Sequence, residues 1–450
     1  MGQNNTGTLL NQPKTNYRWT ILIVLWLLYL INYFDRTAVL TLLPLISAEI
    51  NLTHAQTGVA ASIFFFAYAI AQVIAGWLAD KIGPKKVMNI AICTFTFVTF
   101  LTGLTHNFTQ FVLIRFGLGI GEGHHFSPAN RAIADWFPTK EKGRATSFFS
   151  TTWAVGPAII PIVVTFLAAA FGSWRPVFYV LAVPGVIGIF ILQRWMIDTP
   201  RKAVSEGKVD QSEADYINDG KRAAQGDEAV VKYETKKALA FLFKDGSFIG
   251  YCIMLFCALG IYWGSTTWIS SFLYEQHGFS LKSMGALVSL PYAIAFISMM
   301  LGGTAMDKWF KSKAKPILMA SFLPAIPILF YIGAVPKGHI ATLVVMLMLN
   351  GFFVNLFWGV IYAYPQVRYP KEIVGTAIGV SNGFGQLGSF VAPLVAGFLV
   401  VVNASGTFYT KAFIFFAALA LVAAVFAFFL DEKPIDPVRF AEFTNANANE

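Results

Sequence analysis

Charge is scarce in this chain. Only 13% of its 450 residues are Asp, Glu, Lys or Arg, about half the share of a typical soluble domain and too few to cover a water-facing surface. Cysteine is scarcer still. Cys93, Cys252 and Cys257 each sit inside an apolar run, which excludes a disulfide framework and a Cys-rich metal site. The basic residues behind the net charge of +9 form short clusters between apolar segments, so no continuous patch exists for nucleic acid. What the chain has in quantity is apolar surface. At 56% of 450 residues, or 252, it could supply about twelve spans of roughly 20 residues across a 30 Å hydrocarbon core.

Twelve apolar stretches can be drawn, at 19–43, 55–79, 86–104, 109–133, 145–170, 174–196, 246–272, 281–305, 315–335, 340–364, 374–401 and 409–430. In lipid only helices or a closed barrel satisfy the backbone, and these runs lack the alternation of barrel strands. The expected fold is all-α: a polytopic membrane protein with 12 transmembrane helices in two pseudo-symmetric six-helix bundles. The division is a tail at 1–18, a bundle at 19–196, a mixed-charge linker at 197–245, a second bundle at 246–430 and a tail at 431–450. The opening residues are too weakly apolar for a cleavable signal, so the first span is expected to serve as an uncleaved insertion signal. Of 33 Lys and Arg residues, 26 fall on the side shared by the two termini and four, Arg175, Lys282, Lys337 and Lys411, on the other. The positive-inside rule then puts both termini in the cytoplasm of a multi-pass protein of the plasma (inner) membrane.

The halves echo each other. Gly76-x-x-x-Asp80 after the second span recurs as Gly303-x-x-x-Asp307 after the eighth, and Pro138 to Gly143 after the fourth matches Pro370 to Gly375 after the tenth. Two echoes in order favour duplication, a transporter design with its site at midplane between the repeats.

Three arginines, Arg36, Arg115 and Arg131, fall within spans. Arg36 follows Asp35 in Tyr33-Phe34-Asp35-Arg36, an acid and a base about 100° apart on one helix, at a depth where either is costly. Arg115 and Glu122 are seven residues apart, so they lie within roughly 20° of one face and about 10 Å apart along the axis. Such residues are expected to face an interior cavity, the alternative being a structural ion pair. Gly117, Gly119, Gly121 and Gly123 beside them allow either close helix packing or the approach of a ligand. His124 and His125 can titrate near neutral pH, so a substrate or pH role stands against simple packing. A metal site is not expected, because helix neighbours point about 100° apart and no other His or Cys accompanies them. Asn51-Leu-Thr53, Asn107-Phe-Thr109 and Asn403-Ala-Ser405 fit the glycosylation triplet, but in very short loops.

The run Gly76-Trp-Leu-Ala-Asp80-Lys81-Ile-Gly83-Pro84-Lys85-Lys86 closely resembles the signature loop of the major facilitator superfamily, with Asp80 expected to act as a gate latch partnered by Arg131. Tyr-x-Asp-Arg in the first span, Arg-x6-Glu in the fourth and Glu122-Gly-His-His-Phe-Ser-Pro128-Ala-Asn130-Arg131 resemble the anion:cation symporter branch, which includes sialin and the bacterial sugar-acid permeases. The likeness runs from Arg18 to about Asp436. It implies that Asp35 and Glu122 carry protons, that Arg36 and Arg115 bind a carboxylate, and that Tyr33 and Tyr68 line the substrate site. In the second half it implies Asn382, Gln386 and Trp358 as pocket positions. His124 and His125 depart from the small residues and proline usual there, as does Phe149 to Trp153 from the Asn-Ser pattern of sugar-acid members, which leaves the substrate open. A sugar acid (hexonate, hexuronate or aldarate) comes first and an aromatic carboxylate second. A cationic-drug antiporter is disfavoured by paired arginines, and an enzyme by the lack of a nucleophile–base arrangement. The coupling ion is expected to be the proton, with no cofactor and a monomeric chain.

Overall fold

A computed structural model describes residues 14–225, 235–310 and 313–436. Among the described residues, ten helices are long and apolar enough to cross a bilayer. Six segments make up the first half: α1 (Tyr17–Glu49), α2 (His54–Ile82), α3 (Pro84–Thr102), α4 (Phe108–Trp136), the pair α5 (Thr139–Ser150) and α6 (Thr152–Phe171), and α7 (Arg175–Trp195). Three shorter helices, α8 (Pro200–Ser205), α9 (Gln211–Gln225) and α10 (Thr235–Lys244), lead to the second half. There follow α11 (Gly246–Ser271), α12 (Leu281–Trp309), α13 (Lys315–Ile332), α14 (Ile340–Leu356) with α15 (Ala363–Arg368), α16 (Lys371–Leu399) and α17 (Thr410–Phe429). The two spans that fall short in apolarity, α4 and α16, have 29 residues each. They carry Arg115 and Glu122, and Asn382 and Gln386, respectively.

Helix starts follow local chemistry. Thr53 forms a capping box with Gln56 at α2, Asn107 accepts from the Gln110 N–H at α4, and Ser280 accepts from Ser283 at α12; such caps satisfy N–H groups the helix leaves unpaired. In the Asn-x-Ser/Thr triplets, Thr53 and Asn107 are therefore caps, and Asn403 accepts from the Ser405 N–H in a turn. Pro138 and Pro370, in the matched repeats, both serve as extended N-caps, of α5 and α16.

The structure departs from uninterrupted spans in three places. The fifth stretch breaks at Thr151, between α5 and α6. The tenth breaks at a 3₁₀ turn, Phe357–Gly359, where Gly359 packs against the α12 backbone at Gly302 and Gly303. After α16 the chain forms a hairpin, β1 (Val401–Asn403) paired antiparallel with β2 (Gly406–Phe408), closed by Gly406 at φ 129°. Beta-branched Val401 and Val402 and a glycine that tolerates positive φ favour a hairpin over another helical turn.

The linker is tied down where it is described. Glu213 of α9 is fully buried and accepts from the Thr15 hydroxyl (2.6 Å) and the Tyr17 and Arg18 N–H groups (3.0 Å each), capping α1 with a carboxylate. Residues 1–13, 226–234 and 437–450, parts of the two tails and the linker, lie outside the described residues, as does the side chain of Asp307 in the Gly-x-x-x-Asp echo. At the entrance to α11, Asp245 takes a bidentate fork from Arg368 (2.8 and 2.9 Å) and the Tyr369 hydroxyl (2.7 Å). Burial alone would raise its pKa, but these hydrogen bonds and the Arg368 charge outweigh that and hold the carboxyl below its ordinary value.

On the face opposite the linker the halves close on each other. Gly58 of α2 abuts the Pro393 and Leu394 carbonyls of α16, at 3.1 and 3.2 Å from the place a Cβ would occupy. The Trp268 indole N–H donates to Pro393 O (3.0 Å). His54 of α2 pairs with Glu275, just past α11, at 2.7 Å, and the Tyr409 hydroxyl donates to the same oxygen at 2.8 Å.

Candidate substrate site between the two halves

Midway through the bundle a cavity lies between the halves, lined by side chains from both. Helix α1 contributes Tyr29, Tyr33 and Arg36, spaced four and three residues so that all lie on one face. Tyr68 and Gln72 come from α2, Phe126 from α4 and Trp153 from α6. The second half supplies Leu259, Tyr262 and Trp263 from α11, Met299 from α12, Trp358 and Tyr362 around the 3₁₀ break, and Asn382 and Gln386 from α16.

Arg36 is the centre of this wall. Its guanidinium lies over four rings, Tyr68 at 4.7 Å, Phe64 at 4.8 Å, and Tyr33 and Trp263 at 5.2 Å to the centroids. Trp263 belongs to the second half, so the cation bridges the two by cation–π attraction. Behind it, Glu122 Oε2 accepts from Arg36 Nε (2.9 Å) and Nη2 (2.8 Å), while Oε1 has no partner among the described residues.

Of the acids and bases expected in one chamber, Arg36 alone lines it. Asp35, 100° around the helix, is 2% exposed and turned into the first half, with Oδ1 unpartnered among the described residues. Glu122 reaches the cavity only through Arg36. Arg115 is corrected most clearly. Two helical turns from Glu122, it is 1% exposed, donates to the Ala60 and Ala61 carbonyls of α2 (3.3 and 3.4 Å) and lies over Phe64 at 4.6 Å. Arg115 therefore stands behind the wall and does not line the cavity, and its Nη1 has no partner among the described residues.

The other expected residues separate in the same way. Tyr33, Tyr68, Trp358, Asn382 and Gln386 line the cavity, and the Tyr362 hydroxyl donates to Asn382 Oδ1 at 3.1 Å. Neither histidine lines it. His124 Nδ1 lies 2.7 Å from its own helix carbonyl at Ile120, and His125 is fully buried between Tyr29 and Phe95 with both ring nitrogens unpartnered among the described residues. The glycines of α4 serve packing. A Cβ on Gly119 would collide with the Phe64 carbonyl oxygen, one on Gly123 would lie 2.8 Å from Tyr68 O, and one on Gly121 2.9 Å from Phe95 N. Asp80 and Arg131 form an ion pair within the first half, where Arg131 also holds Asp135 at 3.0 Å. In the adjoining turn Gly83 has φ 88°, and the Lys85 N–H donates to Asp198 at 2.9 Å.

Residue reasoning missed Tyr29, Gln72, Phe126, Trp153, Leu259, Tyr262, Trp263, Met299 and Tyr362. Tyr29 could have been found, since it shares the stripe of Tyr33 and Arg36. Tyr262 and Trp263 could not, because α11 is apolar all round and carries no marker of its cavity face.

Residues 25–342 and 314–448 match the family model described as Major Facilitator Superfamily. The chain is 30% identical over 439 residues to a probable galactarate/D-glucarate transporter of Bacillus subtilis (strain 168), covering 94% of each chain. It is 31% identical over 425 residues to a probable sulfoacetate transporter of Cupriavidus necator, covering 93% of this chain and 95% of that one. It is also 31% identical over 433 residues to a probable galactarate/D-glucarate transporter of Escherichia coli (strain K12), at 91% and 93% coverage. Among solved structures, a D-xylose-proton symporter superposes with a TM-score of 0.73 at 16% identity, covering 93% of this chain and all of that one. A bacterial homologue of the human lysosomal transporter Spinster, inward-facing and unoccupied, gives 0.72 at 18% identity, covering 97% and 98%.

Proposed function

The chain belongs to the major facilitator superfamily, as a multi-pass membrane transporter of organic anions rather than an enzyme, and from that premise we propose that it imports a sugar acid by proton symport. The observation that carries this reading is the double engagement of Arg36, which lines the cavity while Glu122 holds two of its N–H groups. Arginine keeps its charge, so the acid must yield. Charge bookkeeping gives the order. Arg36 and Arg115 against Asp35 and Glu122 sum to zero, and an anion added to that state meets no net attraction. A proton arriving on Glu122 releases the Arg36 fork, whose planar donors suit a carboxylate. Asp35 carries a second proton, and Arg115 supplies a fixed positive charge behind the wall. Proton and anion thus assist each other, and the assistance is reciprocal by linkage.

Five tyrosines and the amides of Gln72, Asn382 and Gln386 line the cavity, which suits the hydroxyls of a sugar acid. A second reading, an aromatic carboxylate, is favoured by the indoles of Trp153 and Trp358, 5.3 Å apart across the two halves. One chain supplies both walls, which supports a monomer, and rocking of the halves alternates access. The Asp80–Arg131 pair acts in gating at the linker face, which the basic loops assign to the cytoplasm together with both termini in the plasma (inner) membrane.

Uptake of labelled sugar acids into proteoliposomes under an inward proton gradient tests the reading. Accumulation should follow the gradient and vanish in Arg36→Ala. Accumulation that ignores the gradient, or that survives in Arg36→Ala, overturns it.

A further inference from the structure

We propose that this cavity selects acids with a single anionic group and an uncharged far end, and that Asn382 and Gln386 enforce the choice. The inference rests on the reading that a carboxylate docks on Arg36. Among the described lining residues Arg36 is the one cation, and every other polar side chain on the wall is neutral. Arg115 does not line the cavity: it is buried behind the wall, where its Nε and Nη2 donate to the backbone of α2.

A carboxylate anchored on α1 of the first half leaves the rest of the molecule to meet the second half. There Tyr362 donates to Asn382 Oδ1, which leaves the Asn382 amide N–H groups as donors, and Gln386 lies one helical turn further along α16. These groups can hydrogen-bond a hydroxyl, a ring oxygen or a carbonyl at no cost in unpaired charge. A second carboxylate there gains the same hydrogen bonds but no counter-cation, and a charge removed from water without one is strongly disfavoured. Because the argument concerns charge and not skeleton, it applies equally to sugar acids and to aromatic acids.

The test uses matched pairs that differ by one carboxylate: galactonate with galactarate, gluconate with glucarate, and benzoate with terephthalate. Each is offered to proteoliposomes of the full chain at a pH where all carboxyls are ionised, with wild type, Arg36→Ala, Gln386→Lys and Asn382→Lys. In whichever pair is transported, the monoacid should be preferred at least tenfold, about 1.4 kcal/mol. Either lysine variant should narrow or invert that ratio by supplying the missing cation, and the use of two positions guards against one that fails to fold. A diacid taken up as well as its monoacid, with Arg36 still required, overturns the selectivity and leaves the carboxylate site standing. Uptake of both acids that is indifferent to Arg36→Ala overturns the two together.

Discussion

Glu122 spends one oxygen, Oε2, on both N–H donors of Arg36 and leaves Oε1 free of partners among the described residues. An amide at that position can still accept from the guanidinium but has no proton to exchange. Glu122→Gln should therefore keep anion binding and exchange within a few-fold of wild type while losing accumulation driven by a pH gradient, as counterflow and gradient-driven uptake would report side by side. Arg36→Lys keeps the charge but loses the fork and the four-ring cage, so KM should rise by about 10- to 100-fold, the equivalent of one or two charge-assisted hydrogen bonds. Arg115→Lys should raise KM by less, because that guanidinium touches α2 and not the cavity. Residues such as Asp35, Arg36, Arg115 and Glu122 were legible in the sequence because charge at membrane depth is rare. Which of them faces the ligand was not legible. That depends on the phase of each helix against its neighbours, and a step of one residue turns a side chain by 100°.

Helices were legible as apolar runs, but their interruptions were not. The Phe357–Gly359 turn sits inside an apolar run, and a break inside a bundle depends on what the freed backbone packs against. The glycines of α4 were visible but ambiguous, and their contacts resolve them. Because a Cβ at Gly119 or Gly123 would press on the α2 backbone, Gly119→Ala or Gly123→Ala should cost about 1–3 kcal/mol through forced separation of α2 and α4, read as a lower thermal midpoint in detergent. The clasp at the start of α11 makes a separate prediction. Asp245 has a folded-state pKa below its ordinary 3.8, so its stabilisation is present above that value and lost as pH falls through the lower, folded one. Asp245→Asn should therefore melt below wild type at neutral pH, and the two should converge in strong acid.

Across the whole molecule the halves meet on the face opposite the linker, where His54 and Glu275 join α2 to the end of α11. Two short echoes in the sequence favour duplication, and the matched Pro138 and Pro370 both stand at helix starts. The closure was not readable, since His54 and Glu275 are 221 positions apart and neither belongs to a motif. His54→Phe or Glu275→Gln should weaken that closure, and distances between spin labels at the α2 start and the α16 end should lengthen relative to the unmutated protein. The account as a whole depends on a proton reaching Glu122 when an anion reaches Arg36. Titrating a transported acid into the purified protein in weakly buffered solution, with a pH indicator present, measures this directly. The wild type should take up at least one proton per anion bound, and Glu122→Gln should bind with that uptake reduced. Binding without proton uptake in the wild type, or uptake unchanged in Glu122→Gln, would contradict the mechanism.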